Sequence, residues 1–292
     1  MSSTATQDTI RVGGLTVAYR STGHGPPVLL LHGWPTSSYL WRRVTPALAE
    51  EHRVIAPDLP GFGASSKPLH TQYSFELFGR TLDALVSDLG LREVGLVVHD
   101  LGGPIGVHWA LHRPGRVSRL ALLNTLLYPE FSAATSDFVA SVLDPERREA
   151  LVSPDGLTGI MRLGVSDPAQ LSDECLATVV APFGEPEARR ALAAAAVGLD
   201  SAGFAEIARL LPGLRIPVLG LYGARDRILP DVAETFARVK QDVPHAEIHP
   251  LTGVGHFLQE ELPQQVGVQL TRFFAPNTLA AGPGGSTQRR TS

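Results

Sequence analysis

Cysteine is nearly missing: the 292 residues hold one, Cys175. One thiol excludes an internal disulfide framework. With no Cys/His cluster around it, a free structural thiol is its expected role. An excess of one charge is missing too. Lys and Arg number 25 against 29 Asp and Glu, a formal net charge of -4. That balance is too small to argue for a nucleic acid or an anionic membrane as partner. No apolar stretch reaches the roughly 18 residues of a membrane span, and the polar start, Met1 to Asp8, has no apolar signal core. A cytoplasmic protein without membrane contact is the default that follows. What is present is apolar material, 43% of residues against 18% charged, enough for a large buried core.

That material is patterned. Short continuous apolar runs end in turn residues at Val28–Leu31, Arg53–Ala56, Glu93–Val98, Leu120–Leu123 and Val218–Tyr222. Runs of this kind suit strands buried on both faces. Helical patterns lie between them at Trp41–Ala49, Phe75–Leu89, Gly106–His112, Asp231–Val239 and Pro263–Phe274. The alternation predicts an α/β fold, a mostly parallel sheet with helices on both faces. Residues 11–20, with Gly13-Gly14 at the centre, read as an edge hairpin.

Residues 128–213 interrupt the alternation with repeated Pro and Asp start signals and an Ala-rich stretch from Arg189 to Val197. They are expected to form a helical lid inserted into a core made of 9–127 and 214–275. The ends, 1–8 and 276–292, are expected to be disordered tails, the second being rich in Gly, Ser, Thr and Pro.

Asp100 carries the strongest functional signal. It sits between the apolar run ending in Val98-His99 and the small residues Leu101-Gly102-Gly103, the strand, sharp turn and helix context of a nucleophile elbow. An elbow usually presents Ser. A carboxylate there is already ionised at neutral pH and can attack a saturated carbon to form an ester with the enzyme. Asp226, in Gly223-Ala224-Arg225-Asp226, and His256, in Gly255-His256-Phe257, follow in the order nucleophile, acid, base. Asp226 is expected to hold one ring nitrogen of His256 while the other faces Asp100 across a water-sized gap. Competing plain roles are assigned elsewhere. His32 is structural, Asp58 is a turn residue, and His108 and Trp109 are packing. His24, His52, His70, His112, His245 and His249 are surface or loop residues. Asn124 lies where an acid could sit but cannot act as one.

Four stretches carry a resemblance: His32-Gly33-Trp34-Pro35-Thr36-Ser37-Ser38-Tyr39-Leu40-Trp41-Arg42, Ala56-Pro57-Asp58-Leu59-Pro60-Gly61-Phe62-Gly63-Ala64-Ser65, His99-Asp100-Leu101-Gly102-Gly103, and Gly255-His256-Phe257. On them the chain, from about Ile10 to Phe274, resembles the α/β-hydrolase superfamily, in its epoxide hydrolase and haloalkane dehalogenase branch. The resemblance implies Asp100 as nucleophile, His256 as the base that activates water, and Asp226 as its partner. It implies an oxyanion hole from the backbone N–H groups of Trp34 and Leu101. It also implies a small apolar organic substrate, water as co-substrate, and neither metal nor cofactor.

The two activities differ in how the leaving group is handled. Dehalogenases in this branch place Trp after the nucleophile, where this chain has Leu101; Trp34 is left as one indole donor. Epoxide hydrolases use lid tyrosines, and Tyr128 is the candidate here. Epoxide hydrolysis to a diol is therefore the leading expectation, with haloalkane dehalogenation as the alternative. A lyase, cyclase or ligand-binding receptor on the same scaffold is the third. Leu126, Leu127, Phe131, Phe138, Val142 and Phe183 are expected to line an apolar substrate pocket.

Overall fold

The computed structural model describes residues 6–275. Its eight-stranded sheet has the order β1-β2-β4-β3-β5-β6-β7-β8. The strands are β1 (Thr6–Val12), β2 (Leu15–Thr22), β3 (Pro27–Leu31), β4 (Arg53–Pro57), β5 (Val94–His99), β6 (Val117–Leu123), β7 (Val218–Gly223) and β8 (Glu247–Leu251). β1 and β2 form the antiparallel edge hairpin, β2 pairs antiparallel with β4, and every later pairing is parallel. Thr6, Gln7 and Asp8, expected in the first tail, instead pair with Ser21, Arg20 and Tyr19, because the hairpin register extends that far. The rest of the tail expectation, 1–5 and 276–292, lies outside the described residues.

The apolar runs are continuous because both faces of the sheet are covered. Every residue of β5 is buried. Its side chains alternate between two cores. Leu96 and Val98 join Leu29 and Leu31 on one face, while Val97 joins Val28 and Leu30 on the other.

The core helices are α1 (Thr45–Leu48), α2 (Phe75–Asp88) and α3 (Gly102–Leu111). The pattern over Trp41–Ala49 is not one helix. A 3₁₀ turn over Ser38–Arg43 ends, and α1 restarts with a proline in its first turn, a residue that starts helices but cannot continue them. Between β6 and β7 lie α4 (Ala133–Leu143), α5 (Pro145–Leu151), α6 (Pro154–Leu163), α7 (Asp173–Val180), α8 (Pro186–Ala196) and α9 (Ser201–Leu210). This is the helical insertion. Ser132, Asp144, Ser153, Ser172 and Asp200 cap five of these helices by accepting backbone N–H bonds. The chain closes with α10 (Val232–Asp242), α11 (Leu258–Glu261) and α12 (Pro263–Phe274). Among the described residues no single helix is long and apolar enough to cross a membrane.

Candidate active site

The polar groups of the site all stand on loops just past the carboxyl ends of strands. Trp34 follows β3, Asp100 follows β5, Asn124 follows β6, Asp226 follows β7 and His256 follows β8. A parallel sheet opens its crevice at that edge.

Asp100 sits at the apex of the turn into α3 with φ 49°. A left-handed backbone is uncommon outside glycine and costs about 1 kcal/mol or more. Four hydrogen bonds hold it, one of them a long branch from its N–H to Leu123 O at 3.4 Å. The Asp100 N–H donates to Asn124 O at 3.0 Å, and the Asp100 carbonyl accepts from the Gly103 N–H at 2.9 Å and from Thr125 Oγ1 at 2.7 Å. The turn also demands small neighbours. A Cβ on Gly33 would overlap the Asp100 side chain, and one on Gly103 would overlap Thr125 Oγ1. The helix therefore begins at Gly102 rather than at Gly106, because these glycines serve close packing inside a helix and do not interrupt it.

The Trp34 N–H donates to Asp100 Oδ1 at 2.7 Å, and the Leu101 N–H also bonds the carboxylate. The other oxygen, Oδ2, lies 3.6 Å from His256 Nε2. Burial raises the Asp100 pKa, and the His256 charge and the two N–H bonds offset this only in part.

His256 is fully buried. Its Nδ1 lies 2.8 Å from Asp226 Oδ2. A carboxylate accepts, so Nδ1 carries the proton and a neutral ring leaves Nε2 bare. Asp226 is itself fixed, Oδ1 accepting from the Ile228 and Leu229 N–H groups at 2.8 and 2.9 Å. Burial would lower the His256 pKa, but the charge and hydrogen bond of Asp226, aided by Asp100, more than compensate and raise it. Asp226 is lowered for the reciprocal reason: burial opposes its charge, and His256, Asn124 and the Leu229 N–H outweigh that.

The gap between His256 and Asp100 corrects one expectation. A water bridging two groups by hydrogen bonds needs roughly 4.5 Å or more between them. At 3.6 Å no water fits on the line between Nε2 and Oδ2. A water serving both must stand beside that line, on the cavity side.

A sequence profile for the alpha/beta hydrolase fold matches residues 26–263. The chain belongs to the α/β hydrolase fold family. It is 32% identical over 293 residues to a soluble epoxide hydrolase of Corynebacterium sp., covering 94% of this chain and 99% of that one. It is 32% identical over 267 residues to a haloalkane dehalogenase of Agrobacterium fabrum, covering 87% and 86%. The solved haloalkane dehalogenase DbeA of Bradyrhizobium elkani superposes with a TM-score of 0.82 at 29% identity over 92% of this chain and 97% of that one. The protein is a hydrolase of the epoxide hydrolase and haloalkane dehalogenase type.

Two residues of this α/β hydrolase escaped the sequence reading. Asn124, set aside because it cannot be an acid, donates from Nδ2 to Asp226 Oδ2 at 2.6 Å and accepts the Gly223 N–H at 2.9 Å. Its φ is 29°, a conformation Asn tolerates better than most residues. His99 lies behind His256, ring to ring at 4.6 Å, and its Nε2 is 3.0 Å from the His256 carbonyl. Burial and the neighbouring His256 hold it well below the ordinary histidine value, hence neutral. His32 bridges two loops, accepting the Leu59 N–H on Nε2 while Nδ1 lies 3.0 Å from Gly33 O. Asp58 takes the Ser38 and Ala64 N–H groups. His52 is no surface residue; it is buried, with Nε2 3.3 Å from Phe274 O.

Both leaving-group donors expected from the resemblance point elsewhere. The Tyr128 hydroxyl donates to Asp242 Oδ2 at 2.8 Å, and its ring lies under the Arg238 guanidinium at 3.8 Å. The charged partners on α10 turn it away from Asp100. The Trp34 indole N–H donates to Leu192 O at 3.2 Å. Tyr128→Phe is therefore expected to keep turnover within about twofold while losing about 1 kcal/mol of stability, the worth of one hydrogen bond. Steady-state kinetics and urea denaturation of the same preparation check both halves.

A cavity of about 380 Å³ opens above Asp100, between the core and the helical insertion. Leu126, Phe131 and Phe138 line it. Leu127, Val142 and Phe183 do not. They are packed into the main hydrophobic core at 0%, 2% and 1% exposure. Apolar character alone does not separate a residue facing an empty cavity from one facing its neighbours. Ile160, Leu163, Phe204, Leu229 and Phe257 supply wall in their place.

Proposed function

We propose that Asp100 is the nucleophile of this hydrolase and that its reaction is the opening of an epoxide to a diol. The observation that carries the nucleophile is the split environment of one carboxylate. Trp34 holds Oδ1, while Oδ2 lies 3.6 Å from the unbonded Nε2 of His256, and Asp100 itself lines the cavity. Residues 128–213 act as the lid that shapes the substrate space.

In the first step Asp100 Oδ2 forms a bond to an epoxide carbon. The ring C–O bond breaks, and the oxygen leaves with the bonding pair and takes a proton from solvent water, leaving hydroxide. In the second step His256 Nε2 takes a proton from water. The hydroxide adds to the ester carbonyl, and the N–H groups of Trp34 and Leu101 hold the resulting oxyanion. Collapse breaks the ester C–O bond; the departing alkoxide takes the proton held on His256 Nε2 to complete the diol, and the Asp100 carboxyl returns its proton to solvent, restoring the carboxylate. Asp226 and Asn124 keep His256 in the tautomer with Nε2 bare.

Support for an epoxide over a halide comes from the donors. Leu101 has none in its side chain, the Trp34 indole is bonded to Leu192, and Arg227, which lines the cavity, donates to Val165 O at 2.6 Å. A departing halide thus meets no uncommitted side-chain N–H from Leu101 or Trp34, whereas Arg227 keeps guanidinium N–H groups beyond the one given to Val165. One observation favours the dehalogenase reading instead: Tyr128, the phenol that ring opening would use, is turned toward Asp242.

A panel of terminal and internal epoxides and of chloro-, bromo- and iodoalkanes decides between them. Diol from epoxides without halide release from haloalkanes is the expected result. Halide release alone would replace the proposal with dehalogenation. Conversion of none would favour a lyase, cyclase or receptor.

A further inference from the structure

We propose that His108, His112 and Glu206 form a binding site for one divalent transition-metal ion of the zinc class, which fastens α9 to α3. His108 and His112 are four residues apart at the end of α3, so their rings project from one face of the helix. The ring centroids are 4.1 Å apart. Glu206 reaches them from α9. Its Oε2 lies 3.2 Å from His108 Nε2 and 3.5 Å from His112 Nε2. One donor atom from each residue falls within 4.8 Å of the others. In a tetrahedral site with metal–ligand bonds of about 2.0–2.1 Å the donors stand about 3.3–3.4 Å apart. The two N···O separations bracket that spacing before any ion is placed.

The hydrogen bonding of His112 is the second observation. Its Nδ1 is 2.8 Å from the backbone carbonyl of His108. A carbonyl only accepts, so Nδ1 carries the proton. In the neutral ring the Nε2 lone pair then faces the Glu206 carboxylate, one acceptor against another. A cation between them removes the conflict, and the Nδ1–H···O=C bond is the outer contact by which ligand histidines are oriented. His108 is also prepared. Its ring lies against Phe75 with centroids 4.4 Å apart. Glu206 Oε1 is left to Arg209 at 4.0 Å, so Oε2 remains for the ion.

None of the three residues lines the cavity, and three protein ligands leave the fourth position to water. The role is structural. α3 starts beside Asp100, and α9 carries Phe204, part of the cavity wall. A bound ion would tie that wall to the helix of the elbow.

The test uses the untagged full-length chain, stripped with a chelator and dialysed. Calorimetric titration with Zn²⁺ should give one ion per chain with a Kd of about 1 μM or tighter. Co²⁺ should develop the visible absorption of a tetrahedral nitrogen and oxygen site. At a hundredfold excess over Kd, Tm should rise by about 5 °C or more. His112→Ala and Glu206→Gln should each weaken the Kd by at least about tenfold, while leaving the far-ultraviolet dichroism of the metal-free chain unchanged. Absence of saturable binding up to about 1 mM Zn²⁺ overturns the proposal. So does a Kd that both variants leave intact, because the ion would then sit elsewhere. If His112→Ala misfolds, Glu206→Gln and the Co²⁺ spectrum of the native chain still decide.

Discussion

His256→Gln is expected to react once with its substrate and stop. Ester formation needs only the Asp100 carboxylate, which requires no base. Hydrolysis of the ester needs a proton acceptor beside the attacking water, and Nε2 of His256, 3.6 Å from Asp100 Oδ2, is the group proposed for it. Turnover should fall by at least about 1,000-fold, while an adduct of the substrate's mass builds up on the peptide containing Asp100. Intact-protein mass spectrometry followed by peptide mapping reads both. A serine-type reaction behaves in the opposite way, since its histidine is required before any covalent bond forms. Asp100→Ala should give neither adduct nor turnover. A His256→Gln protein that stays unlabelled by every compound the native enzyme converts would remove the covalent mechanism.

Asp226→Asn should be nearly as damaging, lowering kcat by about 1,000-fold or more, because an amide no longer selects the tautomer with Nε2 bare. Its pH profile should also move. The native His256 is raised by Asp226 and, more weakly, by Asp100. The base works when unprotonated, during ester hydrolysis, so kcat rises with pH through the His256 pKa, which sets its acid limb. Replacing Asp226 removes the larger upward influence, and the limb should shift to lower pH. A related shift should occur within the native enzyme. Once Asp100 is an ester its charge is gone, so the limb of kcat, which reports bound species, should lie below the His256 pKa of the free enzyme as read by NMR titration. Equal values would mean that Asp100 keeps its charge through the slow step.

The parts of this site that were legible in the sequence are those encoded within one loop. Asp100 between a buried strand and small residues is local, and so is Gly255-His256-Phe257. Short-range pattern suffices because the elbow must have glycine where Gly33 and Gly103 approach it. The alternation of buried strands with helices, which implies a mostly parallel sheet, is also local. What was not legible depends on a partner far along the chain. Tyr128 reads as a free phenol until Asp242 and Arg238 on α10 are seen beside it. Asn124 reads as a lost acid until its amide is found on Asp226, 102 residues away. His52 is a loop residue, as read, but looks exposed until the end of α12 covers it. The cavity wall failed for the same reason. Val142 follows Phe138 by one helical turn and shares its apolar stripe, yet one residue faces space and the other faces core.

The contacts of Trp34 and His256 bear on how this enzyme's substrate range can be changed. The indole of Trp34 is bonded to the carbonyl of Leu192 at the middle of α8. The backbone N–H of His256 donates to the carbonyl of Gly164, the residue that ends α6, at 2.6 Å. Two helices of the insertion are thus bolted by main-chain oxygens to two residues of the reacting edge. The insertion is not an interchangeable cassette. A chimera that grafts α6 to α8 from a relative inherits new carbonyl positions along with new walls, and it is expected to displace His256 or Trp34, the proposed base and oxyanion donor, unless both anchors are kept in register. Point changes at Leu163 or Phe204 leave those oxygens in place and offer the safer route to altered selectivity.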